Sequence, residues 1–95
     1  MGQLFDRIRL LVAQERYVVG LHASERLEER ALMEWQVVAG LTDGRLLEER
    51  NDASPNPAVE VLQHLPDGVQ VKAVWSHLRV NNVAKLVTVH FLDRG

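Results

Sequence analysis

The chain has 95 residues, 46% of them apolar and 25% charged, with a formal net charge of −2 and no cysteine. That length suits one domain with one modest core, and the composition argues against disorder. Disulfides and thiolate metal sites are excluded, and the slight acidic excess argues against a generic nucleic-acid binder, whose affinity comes from neutralising phosphates.

Leu4, Phe5, Ile8, Leu11 and Val12 stand at helical spacing and predict an amphipathic helix over 3–16, with Asp6 in its first turn and Arg16 in its last. Charges run through this apolar segment, so it does not read as a secretory signal. No apolar run approaches the roughly 20 residues that span a bilayer. A cytoplasmic protein with no membrane partner is the expectation.

Residues 17–21, YVVGL, are β-branched and short, fitting a connector or a brief strand. A second helix is expected over 22–31, where His22 and Glu25 have capping-box spacing. A third spans 33–41 and stops at the turn signal Thr42-Asp43-Gly44. Beyond Gly44 the period changes from helical to alternating. Strands follow at 45–50, 58–65, 69–78 and 84–92, separated by the loop NDASPNP, the hairpin turn Pro66-Asp67-Gly68 and a turn at 79–82. Three helices followed by a meander imply a single α+β domain over 1–95, with the helices packed on one face of a three- to four-stranded antiparallel sheet.

The two hairpin turns set a register. Val59, Val61 and Gln63 fall beside Trp75, Ala73 and Val71, and these beside Val87, Val89 and Phe91, making one apolar face. The opposite face carries Glu60, Leu62, His64, Gln70, Lys72, Val74, Ser76, Leu86, Thr88 and His90. It reads as a solvated face, a self-association surface through Leu62, Val74 and Leu86, or a shallow groove. His64 and His90 are expected to flank Lys72. Their separation of two strand spacings, with a cation between them, opposes a metal site, so none is assigned. His77 is expected on the core face near a strand end, in a structural role.

His22, Arg26 and Arg30 stand four residues apart and stack along one side of the second helix. Ala23, Leu27 and Ala31 form the neighbouring apolar row, so the basic row lies at the edge of the buried face. Two roles are open. Arg26 or Arg30 clamps the helix to Glu48 or Glu49 on the first strand, or the guanidinium forks hold an anion such as an RNA phosphate.

The run HASERLEERAL, a short helix, GRLLEE, a Pro-containing loop, a hairpin and KLVTVHF together resemble the bacterial domain-of-unknown-function 4258 family over about residues 18–93. Its His-x3-Arg-x3-Arg helix is matched by His22, Arg26 and Arg30. Its Gly-x-(Ile/Leu)-(Ile/Leu)-Glu strand is matched by Gly44, Leu46, Leu47 and Glu48, and its Val-Thr-Val strand by Val87, Thr88 and Val89. Two positions depart from the pattern: His90 stands where the family usually has Tyr, and Ala31 where it usually has Gly. The family is distantly similar to the RelE/ParE/BrnT toxin fold, some members of which cleave ribosome-bound mRNA.

The resemblance implies a toxin-like, metal-independent endoribonuclease that acts without cofactor on RNA or a ribosome and has a cognate antitoxin-like partner. In that reading His90, His22 and Arg26 are the catalytic candidates: His90 or His64 serves as acid or base, His22 hydrogen-bonds from the helix start, Arg26, Arg30 and Lys72 hold the phosphate, and Glu48 and Thr88 support the site. A non-catalytic protein-interaction module or a homodimer is the competing expectation. No Gly-rich phosphate loop, nucleophile elbow or His-Glu-x-x-His motif is present.

Overall fold

The computed structural model describes residues 2–92 and is α+β. The elements are α1 (Gln3–Ala13), β1 (Tyr17–Val19), α2 (Leu21–Glu29), α3 (Glu34–Gly40), β2 (Arg45–Arg50), β3 (Ala58–His64), β4 (Gln70–Leu78) and β5 (Val83–Phe91). The sheet has five strands in the order β1-β5-β4-β3-β2. β2 to β5 form the expected antiparallel meander. The segment left open between connector and strand is β1, which pairs parallel with β5 through Tyr17↔Ala84 and Val19↔Leu86 and makes the sheet mixed.

The helices pack on one sheet face around Ile8, Leu11, Leu27, Val37, Trp75 and Leu86. Each helix is shorter than the periodicity predicts, and for α1 and α2 the cause is the same. Both end in a Schellman arrangement built on a left-handed residue that is not glycine. In α1, Glu15 takes φ 60° while the Arg16 amide donates to Leu11 O at 2.8 Å. Arg16 therefore lies outside the helix. In α2, Ala31 takes φ 55° while the Leu32 amide donates to Leu27 O at 2.9 Å. The start of α2 is capped by Gly20, with His22 inside the first turn and no side-chain cap, so the His22–Glu25 capping box does not form. The reciprocal bond occurs instead at α3, where the Met33 amide donates to Gln36 Oε1 at 2.8 Å.

The β3–β4 register is as expected, with Val59↔Trp75, Val61↔Ala73 and Gln63↔Val71. In β4–β5 the expected pairs Val71↔Phe91 and Ala73↔Val89 form, but Trp75 lies opposite Leu86, because an irregularity between Val74 and Trp75 adds one residue to β5. One extra residue exchanges the two faces beyond it. Leu86 and Ala84 are fully buried in the core, whereas Val87 is half-buried. The sequence pattern places Leu86 and Val87 on the wrong faces because it assumes an unbroken ladder. A second irregularity, between Leu46 and Glu48, leaves Leu47 exposed and turns Glu49 toward the helices.

Candidate functional site

The predicted site residues come from α2, β2, β4 and β5, and the structure distributes them over three places. His22 is exposed near the start of α2. Arg26 and Arg30 follow on the same side of the helix, about 6 and 12 Å along its axis at 1.5 Å per residue.

This side of α2 lies against β5. Arg26 Nε donates to Val89 O at 3.3 Å, and the Arg30 guanidinium sits 4.2 Å from the centre of the Phe91 ring. β1 pairs with β5 only from Ala84 to Leu86, so among the described residues the Val89–Phe91 stretch has no neighbouring strand on that side. The arginines cover this free edge, where an unpaired carbonyl would otherwise seek a partner. A helix-to-sheet clamp is therefore present, but its sheet partner is not Glu48 or Glu49. Arg26 also approaches Glu29 of its own helix at 3.9 Å. Glu49 instead accepts the Phe5 amide at 2.9 Å, satisfying a donor in the first turn of α1.

His90 and Lys72 are direct partners across β4 and β5 on the face without helices. His64 is not beside Lys72. It pairs with Gln70, and its Nε2 lies 3.0 Å from the side-chain Nε2 of Gln70, while Leu62 occupies the position next to Lys72. Lys72 Nζ is 3.6 Å from Glu60 Oε1. Glu60 also pairs with Arg50, which in turn contacts Glu48 at 2.6 Å. The Arg50 pKa is raised, first by the hydrogen bond to Glu48 and next by the charge of Glu60. The face thus carries a chain of charges, Glu48–Arg50–Glu60–Lys72, that neutralise one another. Thr88 lies opposite Val74, and its hydroxyl oxygen is buried with no partner among the described residues.

His77 stands at the end of β4 on the helix side. Its Nε2 is 2.8 Å from Asn82 Oδ1 and its amide donates to Pro57 O at 3.0 Å. Both contacts tie down loops, as a structural histidine would. Among the described residues no group of three or more His, Asp or Glu side chains surrounds a position for a metal ion. No described helix is long and apolar enough to cross a membrane.

Concave surface occurs elsewhere. A groove of about 450 Å³ opens between β1, α2 and the start of α3. Tyr17, Leu27 and Leu32 line its floor. Met33 and Trp35 stand at its lip, 62% and 59% exposed, and Ser24, Glu28 and Glu34 complete the wall. The floor exists because the Schellman turn of α2 brings Leu32 back beside Leu27, a contact this motif commonly makes. In the sequence, Met33 and Trp35 read only as part of a short helix. Their available signal was that α3 is too short to bury an indole as well as Val37 and Leu41. A smaller cleft of about 250 Å³ lies on the opposite face, where the loop 51–57 folds over Val74 and Val87.

The profile of the family described as domain of unknown function (DUF4258) matches residues 20–91. No curated protein and no solved structure shows a significant match to the chain.

Proposed function

The chain belongs to the family described as domain of unknown function (DUF4258), and on that footing we propose that it is a non-catalytic protein-interaction module. The observation that carries this reading is the exposed pair Met33 and Trp35 at the lip of a groove with a largely apolar floor. Exposed aromatic side chains around a pocket are the usual anchors of protein interfaces. The charged residues support the same reading. Arg26 is spent on Val89 O, Arg30 covers Phe91, and Lys72 is paired with Glu60. The partner in this reading is a cytoplasmic protein, such as an antitoxin-like one.

The test is photo-crosslinking in expressing cells from position 35, compared with position 80, where Val80 is fully exposed, more open than Trp35, and lies outside the groove. A discrete partner at position 35 and none at position 80, with loss of the crosslink in Met33→Ser, supports the module. Equal crosslinking from both positions contradicts it.

A second reading is a toxin-like endoribonuclease, favoured by His90 and Lys72 standing side by side on an open sheet face. There His90 exchanges protons with RNA, and Lys72, released from Glu60, meets the phosphate. Growth arrest and mRNA cleavage on induction, both lost in His90→Ala while Arg26→Ala retains fold, would establish this reading in place of the first.

A further inference from the structure

We infer that the groove between β1, α2 and α3 docks a basic amphipathic helix of a partner protein, an inference that rests on the interaction-module reading and specifies its occupant. The α2 helix divides its charges between two sides. At 100° per residue, Arg26 and Arg30 fall on the side facing the free edge of β5, while Ser24 and Glu28 fall on the opposite side, facing the groove. Glu25 stands on the crest between them. Glu34 enters the wall from the first turn of α3. The helix thus turns both arginines toward its own sheet and one of its three carboxylates, Glu28, toward the groove, where Glu34 joins it.

Both arginines are occupied, and so is Glu29, which lies 3.9 Å from Arg26. Among the described residues, no lysine, arginine or histidine lies within ion-pair distance of Glu25, Glu28 or Glu34. The groove therefore combines an apolar floor, two exposed apolar anchors and an unneutralised acidic rim. An incoming surface complementary to all three carries large apolar side chains beside lysines or arginines. Complementary charge of this kind selects the partner and suppresses acidic competitors.

The occupant's backbone follows from the floor. β1 is an edge strand of only three residues and meets the groove through Tyr17, while the rest of the lining comes from α2, the turn after it and the start of α3. Strand addition needs free backbone groups in a row. A helix needs only a hydrophobic trough that accepts side chains at i, i+3/i+4 and i+7. A trough of about 450 Å³ accommodates a few such side chains.

The experiment uses the full chain and two synthetic helical peptides with the same Leu/Phe stripe, one with lysines and one with glutamates on the polar face. Trp35 is a built-in reporter because it is exposed, whereas Trp75 is already fully buried. The basic peptide should shift the tryptophan emission to shorter wavelength and bind at least tenfold tighter than the acidic one. The preference should weaken as salt is raised. Glu28→Lys combined with Glu34→Lys should reverse it, with the folded state checked by circular dichroism. Equal binding of the two peptides, or binding without any change in Trp35 emission, overturns the inference. If position 35 still crosslinks a partner while the basic peptide shows no preference, the module reading stands and the basic-helix occupant falls. If neither peptide binds and position 35 crosslinks nothing, both fall.

Discussion

The indole Nε1 of Trp75 donates to Gln63 Oε1 at 2.9 Å, and both side chains are fully buried. Gln63 Nε2 in turn donates to Val37 O at 2.7 Å. One amide therefore satisfies a sheet tryptophan and a helix carbonyl at once, fixing α3 against β3 and β4. Buried polar groups are tolerated only when paired in this way. Gln63→Leu leaves the indole N–H and the Val37 carbonyl without partners. We expect a loss of about 2 kcal/mol, read from the urea unfolding midpoint.

Arg26 and Arg30 hold α2 on the free stretch of β5 by different means, a hydrogen bond to Val89 O and a guanidinium over the Phe91 ring. Arg26→Ala should cost about 1 kcal/mol and Arg30→Ala about 0.5–1 kcal/mol, and the two losses should not add because the residues are neighbours. Faster amide exchange in α2 would accompany either change. A stability unchanged in both variants would remove the clamp.

Ala31 sits at φ 55°, in the left-handed region that disfavours a side chain. Its amide donates to Glu28 O at 3.0 Å, so the conformation is built into the end of α2. Ala31→Gly should raise thermodynamic stability by about 1 kcal/mol, seen as a higher melting temperature with unchanged circular dichroism. A glycine at this position would relieve a strain that this chain accepts.

Gly44 has an ordinary φ and is constrained by space. A Cβ there would lie 2.5 Å from Val61 Cγ1 and 3.2 Å from Leu41 O. Gly68 has the opposite problem, a φ of +89° with nothing within 4 Å. Gly68→Ala should cost about 1–2 kcal/mol from backbone strain alone. Gly44→Ala should cost about 1–3 kcal/mol from overpacking, and Val61→Ala should partly rescue it. A rescue of Gly68→Ala by the same change would contradict this distinction.

Glu49 Oε2 accepts the Phe5 amide across a sequence separation of 44 residues. Glu49→Ala should lower stability by about 1 kcal/mol, and Glu49→Gln by less, because the amide oxygen still accepts but lacks the charge that favours a helix N-terminus. Thermal unfolding at low ionic strength separates the two variants.

These residues also mark what the sequence makes legible. Regular period exposes the order of elements, the β2 limits and the β3–β4 register, since Val59, Val61 and Trp75, Ala73 alternate without interruption. It does not expose the extra residue near Val87, because a bulge leaves local composition unchanged while exchanging the faces of Leu86 and Val87. Nor does it expose helix ends closed by Glu15 and Ala31, because the glycine that usually signals such an end is absent. The His22, Arg26, Arg30 row was legible as a row at the core edge. Its sheet partner was not, because Val89 O is a backbone atom and the alternation does not reveal that β1 stops short of it. The groove at Trp35 depends on the turn that returns Leu32 to Leu27, a tertiary consequence with no local pattern of its own.

The most direct measurement of the central claim, that this chain binds a partner through the groove of α2 and α3, is the affinity of the partner crosslinked at position 35, once purified. It should be measured by calorimetry against wild type, Trp35→Ser and His90→Ala. The account predicts one-to-one binding weakened at least tenfold by Trp35→Ser and unchanged by His90→Ala, since those side chains lie on opposite faces of the sheet. Binding that survives Trp35→Ser and is lost in His90→Ala would contradict it, moving the functional surface to the open face of β4 and β5.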